Sequence, residues 1–206
     1  MKSSKEPSVG TLERPQSVTR LAFIAVIVAL FLSVGLNVLL ARKVRSLTYA
    51  RPAMKADRLL KVGTTVPPIA AKRLDGQQDL ISYQVTNQPT VLYVFTPQCI
   101  WCQRNLENLK TLIKEKRGQY RFVGISLTDE GVEKYVTDKG LDIPIYTGLS
   151  AEARTAYKMG STPETIAVSP DGKVVQVWGG AYVGEPRSQV ESYFHVTLPG
   201  ITAESH

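Results

Sequence analysis

Hydrophobic and polar positions divide the chain into zones of different character. Residues 21–41, LAFIAVIVALFLSVGLNVLLA, contain no charged side chain. At about 1.5 Å per helical residue such a run spans roughly 30 Å, the thickness of a bilayer's hydrocarbon core. A buried core helix of that length would show a polar face. A cleaved signal peptide would have a shorter apolar region and a small-residue cleavage site, for which Thr48-Tyr49-Ala50 is a poor fit. The pattern therefore predicts an N-terminal transmembrane helix over 21–41 that anchors the chain in membrane lipid. Ala25, Ala29, Ser33 and Asn37 recur at spacing four on one face. Such small residues either let two helices approach closely or reflect an Ala-rich span. Residues 1–20, polar with scattered Ser and Pro, are expected to be disordered, and 42–60 to form a basic linker.

From Gly63 onward the periodicity is that of a folded domain. Arg73-Leu74-Asp75-Gly76-Gln77 reads as a turn between two short strands, with Asp-Gly as its signal. Thr90–Phe95, TVLYVF, is a short apolar run of β-formers that fits a central strand buried on both faces. A helix is predicted from about Cys99 to Arg117, with Thr96 as its cap and Pro97 in its first turn; Cys102, Leu106, Leu109 and Ile113 then share its buried face. A strand over Tyr120–Leu127 follows, then helices over Val132–Lys139 and Ala151–Met159. Glu164–Ser169 and Lys173–Trp178 form a hairpin around Pro170-Asp171-Gly172, and a last helix covers Glu185–His195. This alternation predicts an α/β fold with helices on both faces of a mixed sheet, and a βαβ unit that places the cysteines at the carboxyl end of its first strand. The folded domain is drawn over 61–196, with 197–206 as a C-terminal tail.

Charge adds one restriction. The net charge of +7 lies almost wholly in residues 1–57, which hold nine Lys/Arg against three Asp/Glu. The folded part is nearly balanced and carries no basic patch of the kind nucleic-acid binding requires. Basic residues flank the apolar run on both sides, so flanking charge does not settle its orientation, and long following domains cross largely regardless of it.

The chemistry is concentrated in Thr96-Pro97-Gln98-Cys99-Ile100-Trp101-Cys102, which holds the chain's two cysteines. Cys99 falls at a helix start, where free backbone N–H groups and the helix dipole favour an anion, and a thiolate is the nucleophile. Cys102 lies one turn on, toward the buried side, where it could attack a mixed disulfide formed at Cys99 and release the partner. A structural disulfide across so small a loop would restrict the unfolded chain little. Zinc wants four ligands, and the two histidines, His195 and His206, lie apart near the C-terminus. Two inert thiols remain as the bland alternative. No metal and no cofactor is expected.

From about Gly63 to Phe194 the chain resembles the thioredoxin-fold domains of the membrane-anchored TlpA/ResA-like thiol–disulfide oxidoreductases. The resemblance rests on the strand TVLYVF, the motif CIWC, and Gly160-Ser161-Thr162-Pro163-Glu164-Thr165, which matches the family's cis-proline loop; the Pro-Asp-Gly hairpin and Trp178-Gly179-Gly180 also fit. It implies a thioredoxin-like mixed sheet, Cys99 and Cys102 as catalytic thiols, Pro163 as the cis-proline and Thr162 as a residue contacting the substrate chain. It also implies protein disulfides or thiols as substrates and a membrane electron donor, with the domain outside the cytoplasm, on the periplasmic side of the cytoplasmic membrane. Trp101, exposed between the cysteines, could form part of a docking surface. The chain departs from the family at three positions. Gln98 stands where many members have Trp. Tyr93 stands where thioredoxins hold a buried acid and either replaces it as a hydrogen-bond partner or only packs. Asn105 stands where ResA-like proteins often have Glu, so the proton-transfer step lacks its usual acid; Glu107 falls on the wrong side of the helix to substitute.

Two other function classes stay open at this point. Thr96-x-x-Cys99 matches half of the peroxiredoxin pattern, which would make the chain a thiol peroxidase, but Leu92 stands where that pattern has proline. A non-catalytic module that docks a redox partner through the same fold is the third reading.

Overall fold

The computed structural model describes residues 22–41, 59–85 and 87–201. The tail 1–20, nearly all of the linker 42–60 and the end of the C-terminal tail lie outside the described residues. The chain separates into two compact units, residues 1–53 and 54–206. In the first, Ala22–Ala41 forms one helix of 20 residues, α1, long and apolar enough to cross a membrane, with every described residue exposed. A helix that is apolar on all sides and buries none of them suits lipid, not water.

The second unit is built on a seven-stranded mixed sheet. Its strands are β1 (Ile69–Arg73), β2 (Gln78–Ile81), β3 (Thr90–Phe95), β4 (Arg121–Ser126), β5 (Ile145–Thr147), β6 (Glu164–Val168) and β7 (Val174–Gly179). Its helices are α2 (Ile100–Arg104), α3 (Leu106–Lys116), α4 (Val132–Lys139), α5 (Ala151–Ala156) and α6 (Glu185–Phe194). The spatial order is β2-β1-β5-β4-β3-β6-β7. β3, β4 and β5 run parallel, while β1, β6 and β7 join antiparallel to their neighbours. The β1–β2 turn closes at Gly76, whose φ of 87° suits a residue without a Cβ.

β3 is the centre of the domain, and all six of its residues are buried. Its alternate side chains enter two cores. Val91, Tyr93 and Phe95 pack with Cys102, Leu109, Trp178 and Phe194, whereas Leu92 and Val94 pack with Ile69, Ile125, Tyr157 and Ile166. A strand covered on both faces reads as continuous hydrophobicity, and TVLYVF does.

The expected first helix and its cap are corrected. The helix predicted from Cys99 to Arg117 is two helices meeting at Asn105, which closes α2 and opens α3. Its cap is Cys99 itself; Thr96 and Pro97 belong to the preceding turn, where Cys99 N–H donates to Thr96 O at 3.2 Å. The short strand β5, of three residues, carries no periodic signal in the sequence. It pairs with both β1 and β4, so it joins the first hairpin to the parallel strands. Of the segment drawn as a C-terminal tail, Leu198 is buried, and its N–H donates to Glu191 Oε1 at 2.8 Å.

Candidate active site

β3 delivers the chain to the end of the sheet, and the turn Thr96-Pro97-Gln98 reverses it into α2. Gln103 Nε2 fastens that turn by donating to Pro97 O at 2.9 Å. Cys99 caps α2 in extended conformation, and its Sγ accepts the Cys102 N–H at 3.1 Å. The sulfur thus occupies the place where a capping oxygen satisfies a free backbone donor. Both cysteines are free thiols; Cys99 is part-exposed and Cys102 is 1% exposed. Burial holds the Cys102 thiol far above its ordinary pKa and the Cys99 side chain adds to this, while the Thr96 backbone and the Thr162 hydroxyl pull the other way. One sulfur is open to solvent and one is not, and they stand one helical turn apart.

The loop from Gly160 to Pro163 leads into β6, and its Thr162–Pro163 peptide is cis. Gly180 N–H donates to Pro163 O at 2.7 Å, which ties this loop to the segment after β7. Between them lies a groove of about 400 Å³ lined by Trp101, Thr162, Pro163, Gly180, Val183 and Pro186, among others. The groove therefore gathers Trp101, Thr162 and Pro163, three residues singled out in the sequence. Neither sulfur lines it; Cys102 meets it through the Thr162 hydroxyl. Trp101 is 47% exposed, with the Arg104 guanidinium 5.2 Å from its ring centroid. Val183, also exposed, and Pro186 line the same groove and carry no sequence signal that marks them.

Two buried polar side chains lie close to the site, Glu164, which the sequence did not mark, and Asn105, which it marked only as the place of a missing acid. Glu164, directly after Pro163, is 0% exposed, and neither carboxyl oxygen has a hydrogen-bond partner. Burial alone pushes its pKa up to about 8. Asn105 is also fully buried, and its Oδ1 accepts two donors, Tyr182 N–H at 2.9 Å and Asn108 Nδ2 at 3.1 Å. Its side chain thereby pins the α2–α3 junction to the segment after β7. Glu107 is exposed and lies 3.4 Å from Lys110, away from the thiols.

The profile of the AhpC/TSA family matches residues 62–177, more than half of the chain and a stretch that includes both cysteines and Pro163. The chain belongs to the AhpC/TSA family. It is an oxidoreductase of thioredoxin-like fold, as its resemblance to the TlpA/ResA-like proteins implies. A curated relative is the thiol–disulfide oxidoreductase ResA of Oceanobacillus iheyensis, 24% identical over 153 residues that cover 71% of this chain and 78% of that protein. Among solved structures, the fold is similar to the thioredoxin domain of a thiol–disulfide oxidoreductase from Bacteroides vulgatus, with a TM-score of 0.53 and 18% identity, covering 66% of this chain and 99% of that one. It is also similar to a thiol–disulfide oxidoreductase from Bacteroides fragilis, with a TM-score of 0.51 and 22% identity, covering 63% and 99%.

Proposed function

We propose that this protein is a membrane-anchored thiol–disulfide oxidoreductase that reduces disulfides in other proteins through Cys99 and Cys102. One observation carries the reading: an accessible sulfur that accepts a backbone N–H, with a buried thiol one turn behind it, beside a groove that contains Pro163. In this reading the Cys99 thiolate attacks a substrate disulfide. That S–S bond breaks, one substrate sulfur leaves and takes up a proton, and Cys99 holds the other. Cys102 then loses its proton and attacks Cys99 Sγ. The Cys99–Cys102 disulfide forms, the second substrate sulfur leaves, and two electrons have passed to the substrate. An electron donor in the membrane restores the dithiol by the reverse exchange. Trp101 and Thr162 contact the substrate chain along the groove, and Pro163 shapes it. α1 holds the domain, drawn over 61–196, on the extracytoplasmic side, where disulfides form and persist.

A second reading, thiol peroxidase, draws on the family match and on Thr96 three residues before Cys99. Replacing Cys102 by Ser separates the two. With the resolving sulfur gone, an exchange enzyme accumulates a mixed disulfide between Cys99 and a protein, which collapses on reduction and is absent from Cys99→Ser. A peroxidase accumulates oxidised Cys99 under peroxide and traps no protein. A docking module that does not turn over yields neither.

A further inference from the structure

Residues 180–184 belong to no helix or strand, yet their middle member is bonded at every polar atom. Tyr182 is fully buried. Its N–H donates to Asn105 Oδ1 at 2.9 Å, and its carbonyl accepts from Asn108 Nδ2 at 3.5 Å. Its hydroxyl pairs with Thr165 Oγ1 at 2.6 Å. We infer that Asn105 and Tyr182 are positioning residues for substrate docking: they fix Ala181 and Val183 relative to Trp101, and so keep the groove preformed for an apolar side chain beside the cysteine of the substrate. This inference rests on the thiol-exchange reading and narrows its substrate class.

Three groups of residues line the groove: Trp101, the pair Thr162 and Pro163, and the pair Ala181 and Val183. Tyr182 is joined to each. The link to Trp101 runs through Asn105, whose own N–H donates to Trp101 O at 3.0 Å while its side chain accepts from Tyr182. The link to Thr162 and Pro163 runs through Thr165, the second residue of β6. Gly180 N–H adds a second tie to the same loop, at 2.7 Å from Pro163 O. Ala181 and Val183 are the chain neighbours of Tyr182, and Val183 N–H donates to Ala181 O at 2.9 Å, which folds the loop tightly around it. Asn108 backs the junction. Its Nδ2 also donates to Asn105 Oδ1 at 3.1 Å, and its Oδ1 accepts Gly200 N–H at 2.8 Å. A segment outside helix and strand is ordinarily the mobile part of a fold. Here buried side-chain amides take the place of a ladder, and a groove held in advance spares its ligand the cost of ordering it.

The lining selects the occupant. Trp101 and Val183 are both exposed, Pro186 adds an apolar ring, and among the described residues that line the groove none is charged. Its volume of about 400 Å³ has room for a large aliphatic or aromatic side chain. A charged side chain would leave water for a surface that offers it no counter-charge. Trp101 lies two residues from Cys99, the sulfur that the proposed reaction joins to the substrate. The occupant is therefore part of the same polypeptide as the attacked disulfide.

The test uses the full-length protein in detergent, reduced beforehand and freed of reductant, in single turnovers against excess probe. Two fluorogenic peptides carry the same disulfide, one with leucine beside the cysteine and one with glycine there; hydroxyethyl disulfide is the small control. In each turnover the S–S bond of the probe takes up two electrons and the Cys99–Cys102 bond forms. The wild type should favour the leucine peptide by about tenfold, the scale on which an apolar pocket discriminates, and Val183→Ser should erase most of that preference. Asn105→Ala should raise the half-saturating concentration of the leucine peptide by about tenfold with little loss of limiting rate. The small disulfide should lose far less than the peptide does. Tyr182→Phe keeps the ring and gives up only the Thr165 contact. It should raise the same concentration by about threefold, the scale of one neutral hydrogen bond. Asn105→Ala combined with Val183→Ser should fall short of the product of the single effects, because both act on one contact. Equal slowing of all three probes would make Asn105 and Tyr182 residues of the fold alone and overturn the inference. Full additivity with Val183→Ser, or unchanged half-saturation in both single variants, would overturn it too. A wild type that takes both peptides equally would overturn the substrate preference. A wild type that reduces none of the probes would remove the exchange reading itself, and this inference with it.

Discussion

At the residue scale the most exceptional group is Glu164. A carboxyl that is 0% exposed with no partner on either oxygen is held neutral, because ionising it there would bury an uncompensated charge. Its native pKa is raised to about 8 from an ordinary 4.5, entirely by burial. Between those two values the unfolded chain has released this proton and the folded one has kept it. The unfolded state therefore binds fewer protons, and stability falls as pH rises across that window. Denaturant unfolding at about pH 5 and about pH 8 should show the wild type losing stability, at most about 1.4 kcal/mol per pH unit from this group. Glu164→Gln should flatten that slope. A variant whose stability tracked the wild type at both pH values would mean that water or a partner reaches Glu164 in solution. The sequence made Pro163 legible, since the loop around it matched a family pattern, but nothing in it set Glu164 apart. Burial without a partner is a property of the fold.

At the element scale, pattern reading found long or strongly periodic segments and failed where a tertiary contact decides. α4 spans the predicted Val132–Lys139, and β3 the predicted Thr90–Phe95, because each carries its own period and boundary signals. β5 has three residues, too few for any period, and exists because β1 and β4 flank it. The break between α2 and α3 is likewise invisible locally, because Asn105 is recruited by the N–H of Tyr182, 77 residues away. The sequence identified Asn105 only as the place where an acid is missing. Its second role gives a stability prediction. Asn105→Ala leaves the buried Tyr182 N–H without its acceptor, which should cost about 1–3 kcal/mol in denaturant unfolding. A loss much below that range would show that the N–H finds another partner and that Asn105 does not pin α2 to the segment after β7.

At the scale of the whole molecule, two kinds of sequence information meet. The folded domain has a near-balanced charge, while residues 1–57 carry the excess of Lys and Arg on both sides of α1. Those charges pull the helix in opposite senses. Five basic residues follow it closely and four precede it, a bias that taken alone would keep the domain inside. The proposed chemistry requires the reverse, since a dithiol that reduces protein disulfides finds its substrates where disulfides persist. A domain of this length following the span crosses largely regardless of nearby charge, so the requirement of the chemistry should prevail. The full chain should fractionate with membranes. Alkaline phosphatase fused after His206, which needs an oxidising compartment to fold, should be active, and a cytoplasm-dependent fluorescent reporter at the same place should be dark. The opposite pair of results would show that the basic residues after α1 fix the domain inside. Cys99 and Cys102 would then face a reducing compartment, where a dithiol is more useful for removing peroxide than for reducing disulfides, and the peroxidase reading would replace the exchange reading.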